Sequence, residues 1–162
     1  MPQLIVFDLD LTLWHCGPLL WCDQLTEPLT KTPSGQIHDA NNTPVRLYDD
    51  VPALLDQLTA AGQLLALASR TSSPHLARQL LDLFHIAHHF PPHLQQIFPD
   101  DKQTHFRNLH QETGIPYSDM LFFDDEPRNI HSVSQLGVTA IHVPTGLDLN
   151  NLSQISQINR VL

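Results

Sequence analysis

The chain has 162 residues, is 41% hydrophobic and 15% charged, and carries a formal net charge of −9. This composition is typical of one globular domain, 1–162, and not of a disordered or membrane-spanning chain. The negative charge argues against a nucleic-acid partner, which would require a basic surface. Two cysteines are too few for a disulfide framework, and the N-terminus resembles a strand rather than a leader, so we expect a cytoplasmic protein.

Short apolar runs alternate with helical patterns along the chain. The predicted elements, in chain order within each class, are strands at 4–7, 64–68, 97–98, 120–123 and 139–143, and helices at 51–61, 74–84, 102–113 and 127–136. Nearly continuous apolar strands separated by helices indicate a parallel sheet that is covered on both faces. We therefore predict a doubly wound α/β fold.

Two segments lie outside this alternation. Residues 13–47, here called the flap, are rich in Pro, Gly, Asn and Thr and alternate only weakly, which predicts an irregular excursion or a short hairpin. Residues 149–162 carry Leu and Ile at spacings of three and four, which predicts a C-terminal helix on the core.

Polar side chains follow the first four predicted strands at the points where the strands end. In strand order they are Asp8 and Asp10, Ser69 and Arg70, Lys102, and Asp124 and Asp125. Sites in open parallel sheets form beyond these carboxyl ends. A divalent cation between Asp8, Asp124 and Asp125 would offset the repulsion of their charges, and carboxylate oxygens suit Mg²⁺.

The same set fits phosphoryl transfer. Asp8 can attack phosphorus as a nucleophile, and Asp10 can serve as general acid and base. Ser69 and Lys102 can bind the transferring phosphoryl group, while Arg70 can contact an anionic part of the substrate. Each residue alone also has an ordinary structural explanation, such as a helix cap or a solvated side chain. Their joint occurrence at successive strand ends favours the site.

Several motifs resemble those of a known family. "DLDLT" with a downstream Ser, Lys and "DD" is similar to the haloacid dehalogenase-like hydrolase superfamily. "LTLW", "VRLYDDVPALL", "ASRTS", "KQTHF", "TGIPYSDMLFFDDEPRNI" and "LGVTAIHV" resemble its small magnesium-dependent phosphatases, and the likeness covers about residues 4–143.

The resemblance implies a Rossmann-like core, with Mg²⁺ held by Asp8, the Asp10 carbonyl, Asp124 and Asp125. It also implies that the substrate is a sugar phosphate, a fructosamine phosphate or a phosphotyrosine-bearing molecule. Larger relatives cover the site with a cap domain, whereas this flap is too small to form its own core, so we expect an essentially capless, open cleft. Two positions differ from the family pattern, because Leu11 replaces an aromatic residue and His15 replaces a proline.

Two other functions are compatible with part of this pattern. A dehalogenase of the same fold also uses a nucleophilic Asp, but it needs neither a metal nor an acid at position 10. A phosphorylatable receiver module uses acids, Ser or Thr, and Lys on a similar sheet, but in a receiver the acid pair follows the first strand. The order found here favours the phosphatase.

Two further clusters contain metal-ligating residue types. The chain has eleven histidines, and His85, His88, His89 and His93 lie within nine positions. Prolines interrupt that segment, and no neighbouring acid or Cys completes a ligand set, so we do not predict a structural metal there. His15, Cys16 and Cys22 form a looser group in the flap, where we expect free, partly buried thiols. Either Trp14 or His15 is a candidate for the entrance to the site.

Overall fold

The computed structural model describes residues 2–152. Strands within this range are β1 (Leu4–Phe7), β2 (Trp14–His15), β3 (Thr30–Lys31), β4 (Ile37–His38), β5 (Pro44–Leu47), β6 (Leu64–Ser69), β7 (Gln95–Ile97), β8 (Met120–Asp124) and β9 (Thr139–His142). Helices within it are α1 (Val51–Ala60), α2 (Pro74–Leu83), α3 (Lys102–Thr113), α4 (Pro127–Ser134) and α5 (Leu149–Leu152). No helix in this range is both long and apolar enough to cross a membrane.

The central sheet has the strand order β7-β6-β1-β8-β9, and all its neighbouring strands run parallel. From β1 the chain continues to β6 and β7 on one side and then crosses to β8 and β9 on the other. The order therefore reverses between β1 and β8, and such a switch point opens a crevice at the carboxyl ends of the strands. Asp8 directly follows β1 and Asp124 ends β8, so both acids lie at this crevice.

Helices cover both faces of the sheet. Ile5 and Phe7 point to a core shared with α1, α2 and the flap, while Leu4 and Val6 point to a second core shared with α3 and α4. This alternation follows from the two-residue period of a strand. The predicted doubly wound α/β fold is confirmed.

The flap is more ordered than the sequence predicts. Its four short strands form an antiparallel sheet with the order β2-β5-β4-β3. Trp14, Cys22 and Ile37 from this segment are buried in the same core as Phe7. The flap therefore packs on the central domain and has no separate core. The predicted last helix begins at Leu149, and residues 153–162 lie outside the described range.

Candidate active site

Asp8 and Lys102 form the centre of the site. Lys102 is 2% exposed, and its Nζ lies 2.7 Å from Asp8 Oδ1 and 3.1 Å from Asp124 Oδ2. The ammonium also donates to the carbonyl oxygen of Ala68 at the end of β6. Lys102 begins α3, whose N-cap is Asp101. One buried cation therefore links the ends of three neighbouring strands and orients the Asp8 carboxylate.

Asp10 is oriented by the flap. Its Oδ1 accepts hydrogen bonds from Trp14 Nε1 at 2.7 Å and from the Cys22 amide at 3.0 Å. Between Asp10 and Thr12, Leu11 adopts a left-handed conformation with φ of 60°, which turns the chain back toward the site. Asp10 is thus held in place by two flap residues, and it lines the cavity of the site.

Asp8, Asp124 and Asp125 form an acidic group. One carboxylate oxygen from each lies within 4.8 Å of those of the other two. Asp124 is fully buried, accepts from the Glu126 amide at 2.7 Å through Oδ1, and accepts from Asn129 Nδ2 at 3.0 Å through Oδ2. These bonds fix Asp124, while the helix that follows has Glu126 as its N-cap. Asp124 and Asp125 are therefore not the N-cap of this helix.

Burial raises the cost of ionising these acids. It raises the pKa of Asp8 to about 7, although the Lys102 ammonium opposes the shift. Burial and the neighbouring charges raise the pKa of Asp124 and of Asp125 to about 6. For Lys102, burial disfavours the ammonium, but the carboxylates of Asp8 and Asp124 hold its pKa above the usual value. A further cation would therefore stabilise the ionised acids.

The remaining predicted residues line one cavity of about 200 Å³ above this centre. Ser69 is buried, and its Oγ accepts from the Thr71 amide at 3.3 Å. Arg70 is exposed and reaches Asn129 Oδ1 at 3.4 Å. The structure therefore brings together all seven strand-end residues that the sequence singled out. Lys102 is buried among acids, so the alternative of a solvated lysine is wrong.

Three contributors to the site were missed by sequence reasoning. Thr12 is buried, and its hydroxyl lies 3.1 Å from Asp8 Oδ2 and 3.4 Å from Asp125 Oδ1. Asn129 supports Asp124, and Trp21 lines the cavity. Thr12 and Asn129 both stand inside the quoted motifs "DLDLT" and "DDEPRN", so their position was a usable signal. Trp21 has no such signal.

The entrance differs from the expectation. Trp14 is buried and donates to Asp10, and the ring of His15 lies 5.3 Å from that of Tyr48, so neither residue lines the cavity. Trp21, which is 43% exposed, occupies the rim instead. Together with Leu20, it is one of two large apolar side chains that are exposed in the described part of the chain.

The histidine and cysteine clusters noted in the sequence do not form metal-binding groups by themselves. Within residues 2–152, neither His15, Cys16 and Cys22 nor His85 and His93 belong to a group of three metal-ligating side chains. Burial raises the pKa of both thiols, which keeps them protonated, as expected for free buried cysteines. His88 and His89 do meet an acid, Asp56, which the sequence did not indicate.

Comparison with known proteins identifies the family. The acid phosphatase family, described as "Acid Phosphatase", matches residues 1–157. Magnesium-dependent phosphatase 1 of Homo sapiens is 47% identical over 155 residues, which cover 95% of this chain and 85% of the relative. A HAD-like hydrolase superfamily protein of Schizosaccharomyces pombe is 36% identical over 162 residues, covering 94% of this chain and 91% of the relative.

A solved structure supports the fold. The crystal structure of 3-deoxy-D-manno-octulosonate 8-phosphate phosphatase from Moraxella catarrhalis, in complex with magnesium, phosphate and KDO, superposes with a TM-score of 0.55 and 21% identity. The match covers 91% of this chain and 70% of that one. The chain therefore belongs to the acid phosphatase family and is a phosphatase of the haloacid dehalogenase-like superfamily, as its motifs predict.

Proposed function

We propose that this protein is a Mg²⁺-dependent phosphomonoester hydrolase that acts through an aspartyl-phosphate on Asp8. The observation that carries the proposal is the buried contact of 2.7 Å between Lys102 Nζ and Asp8 Oδ1, beside two further acids. A carboxylate held against a cation at the end of a strand is oriented for attack, and the cation offsets part of the cost of ionising it in a buried site. Family membership disfavours the dehalogenase and receiver alternatives.

The residues present fit a magnesium ion. Asp8, Asp124 and Asp125 offer hard oxygen ligands close together, and burial raises the pKa of all three. Mg²⁺ binds preferentially to carboxylate oxygens and keeps several waters. The relative from Homo sapiens is named as magnesium-dependent, which agrees with this donor set. When bound, the ion would neutralise charge on the phosphoryl oxygens and on the acids.

The first chemical step is displacement at phosphorus. An Asp8 oxygen forms a bond to phosphorus while the bond from phosphorus to the leaving oxygen breaks. Asp10 donates a proton to that leaving oxygen, which departs as an alcohol. Burial raises the pKa of Asp10, although hydrogen bonds from Trp14 and Cys22 oppose the shift, so its carboxyl group retains a proton more readily.

The second step restores the enzyme. Asp10, now ionised, takes a proton from water as the water oxygen attacks phosphorus, and the bond from phosphorus to Asp8 breaks. Inorganic phosphate leaves, and both acids return to their starting states. Ser69 offers its hydroxyl to the phosphoryl oxygens, and the positive charge of Lys102 beside Asp8 offsets their negative charge through both steps.

The open cleft can admit both small phosphate esters and bulkier phosphorylated groups. Arg70, Arg128 and Trp21 line its outer part, and all three are exposed. We propose sugar phosphates and phosphotyrosine-like groups as substrates, because the rim offers cationic groups and one aromatic ring. Few contacts reach the leaving group, so kcat/KM across aryl, sugar and peptidyl phosphates should vary by no more than about a hundredfold.

Trapping the intermediate tests the mechanism. With an aryl phosphate whose acidic leaving group needs no protonation, Asp10→Asn should accumulate a phosphorylated chain after acid quench, because the hydrolytic water lacks its base. Asp8→Asn should yield none. With the wild-type protein, a chelator should abolish repeated turnover of an aryl phosphate, Mg²⁺ should restore it, and Ca²⁺ should inhibit. Phosphorylation of Asp8→Asn, or full activity in excess chelator, would refute the proposal.

A further inference from the structure

A second cluster of ligating side chains lies far from the active site. Asp56 in α1 and two adjacent histidines, His88 and His89, bring one ligand atom each within 4.8 Å of the other two. The histidines form the short 3₁₀ turn that follows α2. The acid is more than thirty residues away in sequence, so only the tertiary fold completes this set of two imidazoles and one carboxylate.

The two ring nitrogens of His89 each face a polar partner. Its side chain is 4% exposed, its Nδ1 lies 2.8 Å from Thr59 Oγ1, and its Nε2 lies 3.3 Å from Asp56 Oδ1. When the Thr59 hydroxyl accepts the Nδ1 proton, Nε2 carries the lone pair and faces the carboxylate. Metal-binding histidines are usually held in this way, through a hydrogen bond on the other ring nitrogen.

The spacing suits a tetrahedral ion. Two ligands at about 2.1 Å from zinc in tetrahedral geometry are about 3.4 Å apart, close to the 3.3 Å between His89 Nε2 and Asp56 Oδ1. The His88 ring lies beside that of His89, with 4.0 Å between centroids and 38° between the ring planes, and has no hydrogen-bond partner among residues 2–152. Because His88 and Asp56 are exposed, both can rotate to complete the coordination.

Electrostatics agrees with this geometry. Burial and the neighbouring His88 lower the pKa of His89, although Asp56 opposes the shift. The neutral form of imidazole is the one that binds metals. The nearby carboxylate supplies the negative charge that a divalent ion requires.

The cluster lies at the opposite edge of the sheet from the active site. His88 and His89 line a depression together with Gln63 and Leu64, and Leu64 begins the strand β6 that ends at Ser69. Five residue steps along a strand span about 16 Å. An ion here would not contact the phosphoryl group.

We propose that Asp56, His88 and His89 form a Zn²⁺ site, with water from the open depression as the fourth ligand. Two imidazoles, one carboxylate and water match the donors that zinc takes in protein sites with an open position. The ion would join the turn after α2 to the outer face of α1. Its effect is to stabilise this connection, and it takes no part in the chemistry at Asp8.

Zinc binding to the full chain, with any purification tag removed and Mg²⁺ in excess, tests the proposal. A chromophoric chelator as competitor should report one Zn²⁺ per chain. Asp56→Asn and His88→Asn should each weaken zinc binding at least tenfold. Thr59→Val should weaken it by about 10- to 100-fold, as is typical for loss of a hydrogen bond to a ligand. Both ligand positions are exposed, so these variants should fold.

His85→Asn is the matched control, because His85 lies in the same segment and outside the cluster. Its φ of 58° is tolerated by asparagine, and zinc affinity should not change. At a zinc concentration between the two dissociation constants, zinc should also raise the melting temperature of the wild type and of His85→Asn clearly more than that of Asp56→Asn. Absence of Zn²⁺ binding, or equal affinity in Asp56→Asn and His88→Asn, would overturn the proposal. The proposal would also be overturned if zinc binding were lost in Asp125→Asn and kept in the other variants, because the ion would then lie among the acids at the strand ends.

Discussion

The carboxyl edge of the central sheet and the flap line the same cleft but are built differently. At the edge, Asp124 is fully buried and Lys102 is 2% exposed, and each has several polar partners. On the flap, Leu20 and Trp21 are 53% and 43% exposed. The edge belongs to strands paired on both sides, whereas the flap sheet consists of strands of two to four residues.

This difference separates chemistry from recognition. Buried charges at the edge depend on one another, since removing one leaves the others unpaired in a site with little water. A change at the flap surface alters only contacts that a substrate makes. We therefore expect large losses at the edge and small, substrate-dependent losses on the flap.

The largest effect should come from Asp8→Asn. An amide is not a nucleophile toward phosphorus, so kcat for an aryl phosphate should fall by at least about a thousandfold. Asp100→Asn is the matched control, because Asp100 is an exposed acid that follows β7 at the same edge. Steady-state phosphate release measures both. If Asp8→Asn hydrolysed the aryl phosphate about as fast as the wild type, the catalytic role that we assign to the carboxyl edge would be wrong.

Lys102→Met should impair both activity and stability. The change removes the cation between Asp8 and Asp124, so we expect kcat/KM to fall about a hundredfold. We also expect the free energy of unfolding to fall by about 3 kcal/mol. The control is Lys31→Met, since Lys31 is exposed on the flap. Denaturant unfolding measures stability, and aryl phosphate kinetics measure activity. Equal effects of Lys102→Met and Lys31→Met would show that the carboxyl edge and the flap do not differ in this way.

Acid should also destabilise the folded protein at the carboxyl edge, through protonation of His105. The residue is fully buried, its Nε2 lies 3.0 Å from the Phe98 carbonyl, and its Nδ1 has no partner among the described residues. Burial, followed by the charge of Lys102, lowers its pKa to about 4. Because the unfolded chain binds the proton more readily, this stabilising contribution is complete above about pH 6.5 and declines as the pH falls toward 4.

His105→Gln should therefore flatten the pH dependence of stability. The difference between wild type and variant in free energy of unfolding should shrink by about 2 kcal/mol between pH 7 and pH 5. Denaturant titrations at the two values measure it. Parallel pH profiles would show that His105 titrates normally in the folded protein.

The smallest effect should come from Trp21→Ala. The ring lines the cavity, so its loss should lower kcat/KM for an aryl phosphate about tenfold, which corresponds to one aromatic contact. Acetyl phosphate, which has no ring, should be hydrolysed as before. Leu20→Ala is the matched control, because Leu20 is also an exposed apolar side chain of the flap and does not line the cavity. Equal losses on both substrates would assign Trp21 to folding and not to recognition.

Local patterns in the sequence determined most of the central sheet and the acids at its edge. The strands and helices of this part follow from apolar periodicity, and the boundaries differ from the predictions by a few residues, as at β7. The rule that parallel strands end at one edge was sufficient to bring Asp8, Lys102 and Asp124 together. These features could be read from sequence because each depends on neighbouring residues and on a general topology.

Only the tertiary structure decided the flap and the contacts that it makes. Strands of two residues, as in β2 and β3, are too short to show a periodic pattern, so the sequence predicted an irregular excursion or a short hairpin and not a four-stranded antiparallel sheet. For the same reason, nothing local distinguishes Trp14, buried against Asp10, from Trp21 at the rim. Asp56 meets His88 and His89 through packing of distant segments, and that proximity has no local signal along the chain.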